Sequence, residues 1–79
     1  MNKTTHVTRY IFELWTKEQI KSVFLRLRPV YYANEHILRV CDRGITRHIM
    51  ERAGITCTKE IKRNTIGRIT SELLKACGL

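Results

Sequence analysis

Basic and amide side chains between positions 43 and 68 are the part of this chain best suited to chemistry with a polyanion. Seven basic and two acidic residues occur in that range. Arginine and lysine neutralise phosphates, and arginine and asparagine can also form paired hydrogen bonds with guanine and adenine. We therefore predict nucleic-acid contacts for the following residues: Arg47, Lys59, Lys62, Arg63, Asn64, Thr65 and Arg68.

The order of these residues along the chain suggests two roles. Lys59, Lys62 and Arg63 come just before a predicted helix, whose free N–H groups also favour phosphates. The polar residues in the range 64–68 would lie on the first outward turn of that helix and reach base edges. Asn64 has a simpler alternative role as the cap of the helix.

Few residues of this sequence suit metal binding or acid–base catalysis. His6, His36 and His48 lack metal-ligand spacing, and the seven acidic residues are scattered rather than paired. The sequence also has no glycine-rich phosphate loop. We therefore predict no enzyme activity, no metal and no cofactor.

Cysteine spacing and hydropathy indicate the cellular compartment in which the protein works. The spacings of Cys41, Cys57 and Cys77 fit neither a disulfide framework nor a paired-cysteine zinc motif. We predict reduced thiols, buried at Cys41 and Cys77, whereas Cys57 lies in a polar stretch. The N-terminal sequence has no apolar run of the signal-peptide type, and no stretch has the ~20 apolar residues of a membrane span. These features predict a cytoplasmic protein without membrane contact.

Size and charge limit the fold and the partner. The chain has 79 residues and a formal net charge of +8. A chain this short forms one small hydrophobic core, so we predict a single basic domain over 1–79. Hydrophobic residues make up 43% of the sequence, which disfavours disorder. Residues 1–40 and 41–79 each carry +4, so the charge indicates a polyanionic or acidic partner without locating the surface that binds it.

The N-terminal helices are predicted over 7–28. The first helix is expected to bury one apolar stripe, formed by Val7, Tyr10, Ile11, Leu14 and Trp15. Thr16 and Gln19 form a capping-box pair that starts the second helix. Its apolar stripe is formed by Ile20, Val23, Phe24 and Leu27. Pro29 is expected to end this helix, because proline disfavours the helical conformation in the residue before it.

Val30, Tyr31 and Tyr32 are predicted to form a connector with strand character, so that a short strand near 30–32 is an expectation of the sequence. Arg28, Tyr31 and Tyr32 could also form an aromatic anchor for a protein partner or for a single-stranded base. The alternative is one buried and one half-exposed tyrosine.

The C-terminal half, 34–79, is predicted to begin with two short helices. Asn34 is the expected N-cap of the first, and the residues 42–44 (Asp-Arg-Gly) are expected to break it. Thr46 is the expected cap of the second, which ends at Gly54 in a left-handed conformation.

The last predicted helix is the best defined. Asn64 or Thr65 would cap it and Gly78 would stop it. Its buried stripe is formed by Ile66, Ile69, Leu73 and Ala76 or Cys77. The predicted fold class is therefore an all-α compact bundle of about five short helices.

Residues 44–69 resemble the helix-turn-helix unit of DNA-binding domains. The spacing that carries the resemblance is that of a capped helix, a glycine corner and an apolar residue that fills the corner: Ile49, Ala53, Gly54 and Ile55, followed by Ile66 and Ile69 in the second helix. Ile66 comes eleven positions after Ile55, where the compact unit has about five. The longer connection makes this segment more similar to winged-helix proteins, although no residues for a wing follow the second helix. The resemblance implies a second helix placed in the major groove.

These features favour a small DNA-binding transcriptional regulator that acts as a homodimer, with DNA a better candidate than RNA. Dimerisation would double the charge on the DNA and bury apolar surface. The alternative is a small phage- or plasmid-type inhibitor that docks on an acidic protein surface of the host or blocks a nucleic-acid channel. The even distribution of charge favours this alternative.

Overall fold

Four α-helices make up most of the described structure. The computed structural model describes residues 3–34, 38–55 and 63–79. The helices are α1 (Lys3–Leu14), α2 (Lys17–Asn34), α3 (Leu38–Arg52) and α4 (Arg63–Cys77). The described ranges contain no strand, which confirms the all-α class there. They hold four helices rather than about five, and the short strand expected near 30–32 is wrong because those residues belong to α2.

Three of the helix-end signals read from the sequence are confirmed. The backbone N–H of Gln19 donates to Thr16 Oγ1 and the N–H of Thr16 donates to Gln19 Oε1, which is the reciprocal pair of a capping box. Gly54 has φ +80°, and the N–H of Ile55 donates to the Met50 carbonyl at 2.9 Å. Gly78 ends α4 in the same way with φ +71°. Both glycines form the left-handed helix ends that a side chain would disfavour.

The expected end of α2 at Pro29 is wrong. Pro29 lies inside the helix, which continues to Asn34. Proline removes one backbone donor and leaves the carbonyl four residues earlier without its partner. Leu25 and Pro29 are both exposed, so that carbonyl lies on the outer side of the helix rather than against the core. The next turn is held by packing instead, since Tyr31 packs against the hydrophobic core.

The break expected at 42–44 and the cap expected at Thr46 are also wrong, because α3 is continuous from Leu38 to Arg52. The residues that resembled helix breakers make contacts between helices. A methyl group in place of the Gly44 hydrogen would lie 2.7 Å from Cε1 of Tyr31, so the glycine permits close approach of α2. Thr46 is fully buried and its Oγ1 lies 2.7 Å from Oγ1 of Thr70 in α4.

Two other expected caps lie inside helices. Asn34 is the last residue of α2 rather than the cap of α3, and α4 begins at Arg63, before Asn64 and Thr65. The shift at α4 is one or two residues, which is the ordinary uncertainty of helix ends read from a sequence.

The buried face of α1 differs from the expected stripe. Ile11 is buried as predicted, but Tyr10 and Leu14 are 43% and 45% exposed. Thr4 and Thr8 are buried in their place. The Thr8 hydroxyl donates to the Thr4 carbonyl at 3.0 Å, so its polar atom is satisfied within the helix while the side chain stays in the interior.

The hydrophobic core is arranged around α4, which packs against α1, α2 and α3. The residues of α4 that the sequence predicted as buried are confirmed, apart from Ala76, which is exposed. Ile69, Leu73 and Cys77 pack with the predicted stripe of α2 and with Ile45, Ile49 and Met50 of α3. Because three helices cover α4, only one stripe of its surface faces solvent.

The buried thiols predicted from the sequence are confirmed for two cysteines. Cys41 and Cys77 are buried, and Cys57 lies outside the described residues. Burial raises the pKa of the Cys77 thiol, although the nearby charges of Lys17 and Lys21 oppose the shift. A raised pKa lowers the thiolate fraction at neutral pH, so this thiol is a weaker nucleophile than an exposed cysteine.

Membrane spanning was examined from helix length and hydropathy. No helix in the described part of the chain is both long and apolar enough to cross a bilayer.

Two glycine substitutions should have opposite effects on stability. Gly44→Ala would force its methyl group against the ring of Tyr31, so we expect a loss of about 1–3 kcal/mol in the free energy of unfolding. Gly67→Ala would contact only the flexible end of Arg43, so the higher helix propensity of alanine should raise stability by up to about 1 kcal/mol. Urea denaturation followed by circular dichroism measures both. Equal effects of the two substitutions would contradict the close approach at Gly44.

Candidate nucleic-acid interface

A groove of about 740 Å³ follows α4 between the start of α1 and the first half of α3, and most of its lining residues have polar or charged side chains. We call it the α3–α4 groove, and its lining residues are Thr4, Asp42, Arg43, Asn64, Gly67, Arg68, Thr70, Ser71, Glu72 and Leu74. The groove therefore includes the N-terminal half of α4, where the sequence predicts base and phosphate contacts.

Arg43 reaches this groove because position 67 has no side chain. A methyl group on Gly67 would lie 3.2 Å from Nε and 3.3 Å from Nη2 of Arg43. The guanidinium group thus lies against the backbone of α4, one residue away from Arg68. Within the described residues neither arginine forms an ion pair, so both retain their hydrogen-bond donors for a ligand.

The carboxylate of Asp42 does not cancel this charge, because it is already paired. Arg28 Nε donates to Asp42 Oδ1 and Arg28 Nη2 donates to Asp42 Oδ2, both at 3.1 Å. The Tyr32 hydroxyl donates to Asp42 Oδ1 at 3.2 Å. Hydrogen bonding to Asp42 raises the pKa of Arg28, and the Asp42 side chain is only 10% exposed. Glu72 is then the other carboxylate among the described lining residues, which also include Arg43 and Arg68.

The outer face of α4 extends the groove. Asn64, Arg68, Ser71 and Lys75 are exposed and recur every three or four residues. They form one stripe on the side of α4 that the other helices leave uncovered. The stripe is about 17 Å long at 1.5 Å per residue, which is comparable to the ~12 Å width of the DNA major groove.

The predicted contact residues are only partly brought together. Asn64 and Arg68 line the groove, whereas Arg47 is exposed on α3, one turn beyond Arg43, and Thr65 is half-buried beside the groove. Arg63 is the first residue of α4. Lys59 and Lys62 lie outside the described residues, so their phosphate contacts stay predictions.

Sequence reasoning did not assign Arg43 or Ser71 to the site. Arg43 was expected in a break of α3, where its direction could not be read. The signal that pointed to it was Gly67, since a glycine inside a strongly amphipathic helix often marks a close approach by a neighbouring group.

The residues predicted as a protein interface take part in the fold. Arg28 and Tyr32 hold Asp42, and the guanidinium carbon of Arg28 lies 5.8 Å from the ring centre of Phe24. Tyr31 packs against the core and against Gly44. All three are half-buried. Their role as an anchor for a partner stays a prediction.

Metal binding was examined in the same part of the structure. Among the described residues, no group of three or more histidine, cysteine, aspartate or glutamate side chains could hold a metal ion.

Comparison of the chain with protein-family models, with curated protein sequences and with solved structures gave no match. The function must therefore be argued from the residues of the groove and their charges.

Tyr32 provides a pH-dependent test of the Asp42 cluster. Burial, followed by the negative charge of Asp42, raises the pKa of the Tyr32 phenol above its ordinary value of 10.0. The phenol therefore keeps its proton to a higher pH in the folded state than in the unfolded state. The contribution of the protonated Tyr32 to stability is present below pH 10 and is lost as the pH rises through the folded pKa. The difference in phenolate absorbance between the native chain and Tyr32→Phe should show a midpoint above 10.

The same variant should lose about 0.5–1.5 kcal/mol of stability at neutral pH, because it lacks the hydrogen bond to Asp42. Above pH 10 its stability should fall less steeply than that of the native chain. A difference midpoint at or below the ordinary value would mean that Tyr32 does not sit beside the carboxylate.

Proposed function

We propose that this chain is a small DNA-binding protein that recognises particular duplex sequences, as a transcriptional regulator does, through the α3–α4 groove. The observation that carries the proposal is the presence of two guanidinium groups, Arg43 and Arg68, on one groove with Asn64 at the start of α4; neither forms an ion pair with a described residue. Phosphate oxygens are the natural partners of such groups, since guanidinium groups bind them through two parallel hydrogen bonds.

The exposed stripe of α4 supports a division of roles. Arg68 and Asn64 lie on the outermost turn and have the side chains that read guanine and adenine. Arg43 lies deeper, against Gly67, and is placed for a backbone phosphate. The segment that contains Lys59 and Lys62 joins α3 to α4 and would add phosphate contacts close to the start of α4.

Selection from a random duplex pool tests this proposal. We expect enriched sequences that bind about 10³-fold more tightly than the pool at ~150 mM salt, with affinity that falls steeply as salt increases. Arg68→Ala should reduce the preference among sequences. Arg43→Ala should weaken binding to all of them and lower the salt slope by about one.

Arg26→Ala is the matched control, because Arg26 is exposed on α2 and does not line the groove. The substitution removes the same charge as Arg43→Ala. It should change affinity little. Uniform binding across the pool, no binding at ~150 mM salt, or an equal loss in the Arg26→Ala variant would overturn the proposal. Tighter binding to RNA than to any DNA duplex would replace DNA with RNA as the target.

The proposed homodimer is best accommodated by the outer face of α1. Tyr10 and Leu14 are exposed there, one turn apart, beside Arg9 and Glu13. Two copies of α1 packed antiparallel would cover the apolar pair and place Arg9 of one chain near Glu13 of its partner. The interface would leave the α4 stripe free in both chains.

Sedimentation velocity tests the dimer. The native chain should sediment as a dimer, and Leu14→Lys should sediment as a monomer because it buries a charge in the interface. Leu25→Lys is the control, since Leu25 is also exposed but lies on α2. A monomeric native chain, or dissociation by both substitutions, would contradict this arrangement.

A further inference from the structure

A second groove lies between α2 and α3, where α1 ends, and the proposed DNA contact does not use it. Its volume is about 400 Å³, within the range of sites that hold small ligands or side chains. We call it the Trp15 groove, because Trp15 forms one of its walls together with Val23 and Gln19. None of these residues lines the α3–α4 groove.

The floor of the Trp15 groove is part of the hydrophobic core. Ile20 and Ile49 form it, and both are almost completely buried. Trp15 and Val23 pack against the same core but remain half-exposed. The apolar surface is therefore held in place by packing against the core, and its outer side is open to solvent. Such a surface favours an apolar side chain that enters it, because no large rearrangement is needed.

The rim of the groove is basic. Arg52 is exposed and His48 is half-buried, four residues apart on α3, and no carboxylate of the described residues lines the groove. Arg52 forms no ion pair within the described residues. The net charge of +8 adds a long-range attraction for acidic partners. An occupant that complements both floor and rim carries an apolar side chain beside carboxylates.

We propose that the Trp15 groove is the docking site for an acidic amphipathic segment of a partner protein. An apolar side chain of that segment packs on Trp15 and Val23, and a neighbouring carboxylate pairs with Arg52. A second copy of this chain complements the rim poorly, because it is itself strongly basic. A nucleic-acid base would stack on Trp15, but the aliphatic floor of Ile20 and Ile49 offers the edges of that base no hydrogen-bond partner.

Trp15 is the only tryptophan of the chain and reports occupancy directly. The probe is a synthetic peptide in which one leucine is flanked by glutamates, titrated into the full chain while Trp15 emission is recorded. Two matched peptides, one with lysines in place of the glutamates and one with serine in place of the leucine, serve as comparisons. We expect a saturable change in emission with the first peptide and a weak or absent change with the other two.

Substitutions in the chain locate the contact. Arg52→Glu should weaken the acidic peptide about tenfold or more, because it replaces attraction at the rim by repulsion. Val23→Glu should have a similar effect by placing a carboxylate on the wall. Arg26→Glu makes the same charge change outside the groove and should have little effect. Circular dichroism of each variant confirms that its helices form.

Three results would overturn the proposal. The first is the absence of a saturable change with the acidic peptide, and the second is an equal loss of binding with Arg26→Glu. The third is a saturable change with single-stranded oligonucleotides but not with the peptide, which would make the groove a base-binding site. Arg68→Ala should leave peptide binding unchanged, so failure here is distinguishable from failure of the proposed DNA contact.

Discussion

Burial of α4 by the three other helices is the constraint on which the rest of this structure depends. A chain of this size has one small core, and here α1, α2 and α3 each contribute to it by packing against α4. The helix must therefore be apolar on most of its circumference and polar on one stripe. That requirement places Asn64, Arg68, Ser71 and Lys75 together on the uncovered side. The same packing that stabilises the fold thus selects the residues available to a ligand.

Glycines within helices determine how closely the neighbouring elements approach. Gly44 allows the ring of Tyr31 to lie on α3, and Gly67 allows the guanidinium group of Arg43 to lie on α4. The first contact closes the core between α2 and α3, whereas the second brings a cation into an open groove. Helical glycine lowers stability by about 1 kcal/mol relative to alanine. At Gly44 the close packing of Tyr31 offsets this cost, whereas at Gly67 the cost remains and the missing side chain leaves space for Arg43.

The features that were predictable from the sequence are those decided by neighbouring residues. The capping box at Thr16 and the left-handed end at Gly54 involve atoms only a few positions apart, and both are confirmed. Pro29 and Thr46 were misread because their environment comes from another helix or from solvent. The site divides similarly. Helical periodicity predicts that Arg68 faces outward. The direction of the Arg43 side chain depends instead on where α4 crosses α3.

The pairing of Asp42 with Arg28 has a consequence for the charge of the whole surface. If Asp42 were free, the two carboxylates and two arginines of the α3–α4 groove would balance, and a polyanion would gain little there. Arg28 belongs to α2, does not line the groove and neutralises Asp42 through two hydrogen bonds. The groove therefore keeps an excess of positive charge. At the other end of α3, Arg52 lies on the rim of the Trp15 groove and belongs to a different surface. The cations of α3 are thus divided between two grooves, so a ligand in one does not need those of the other.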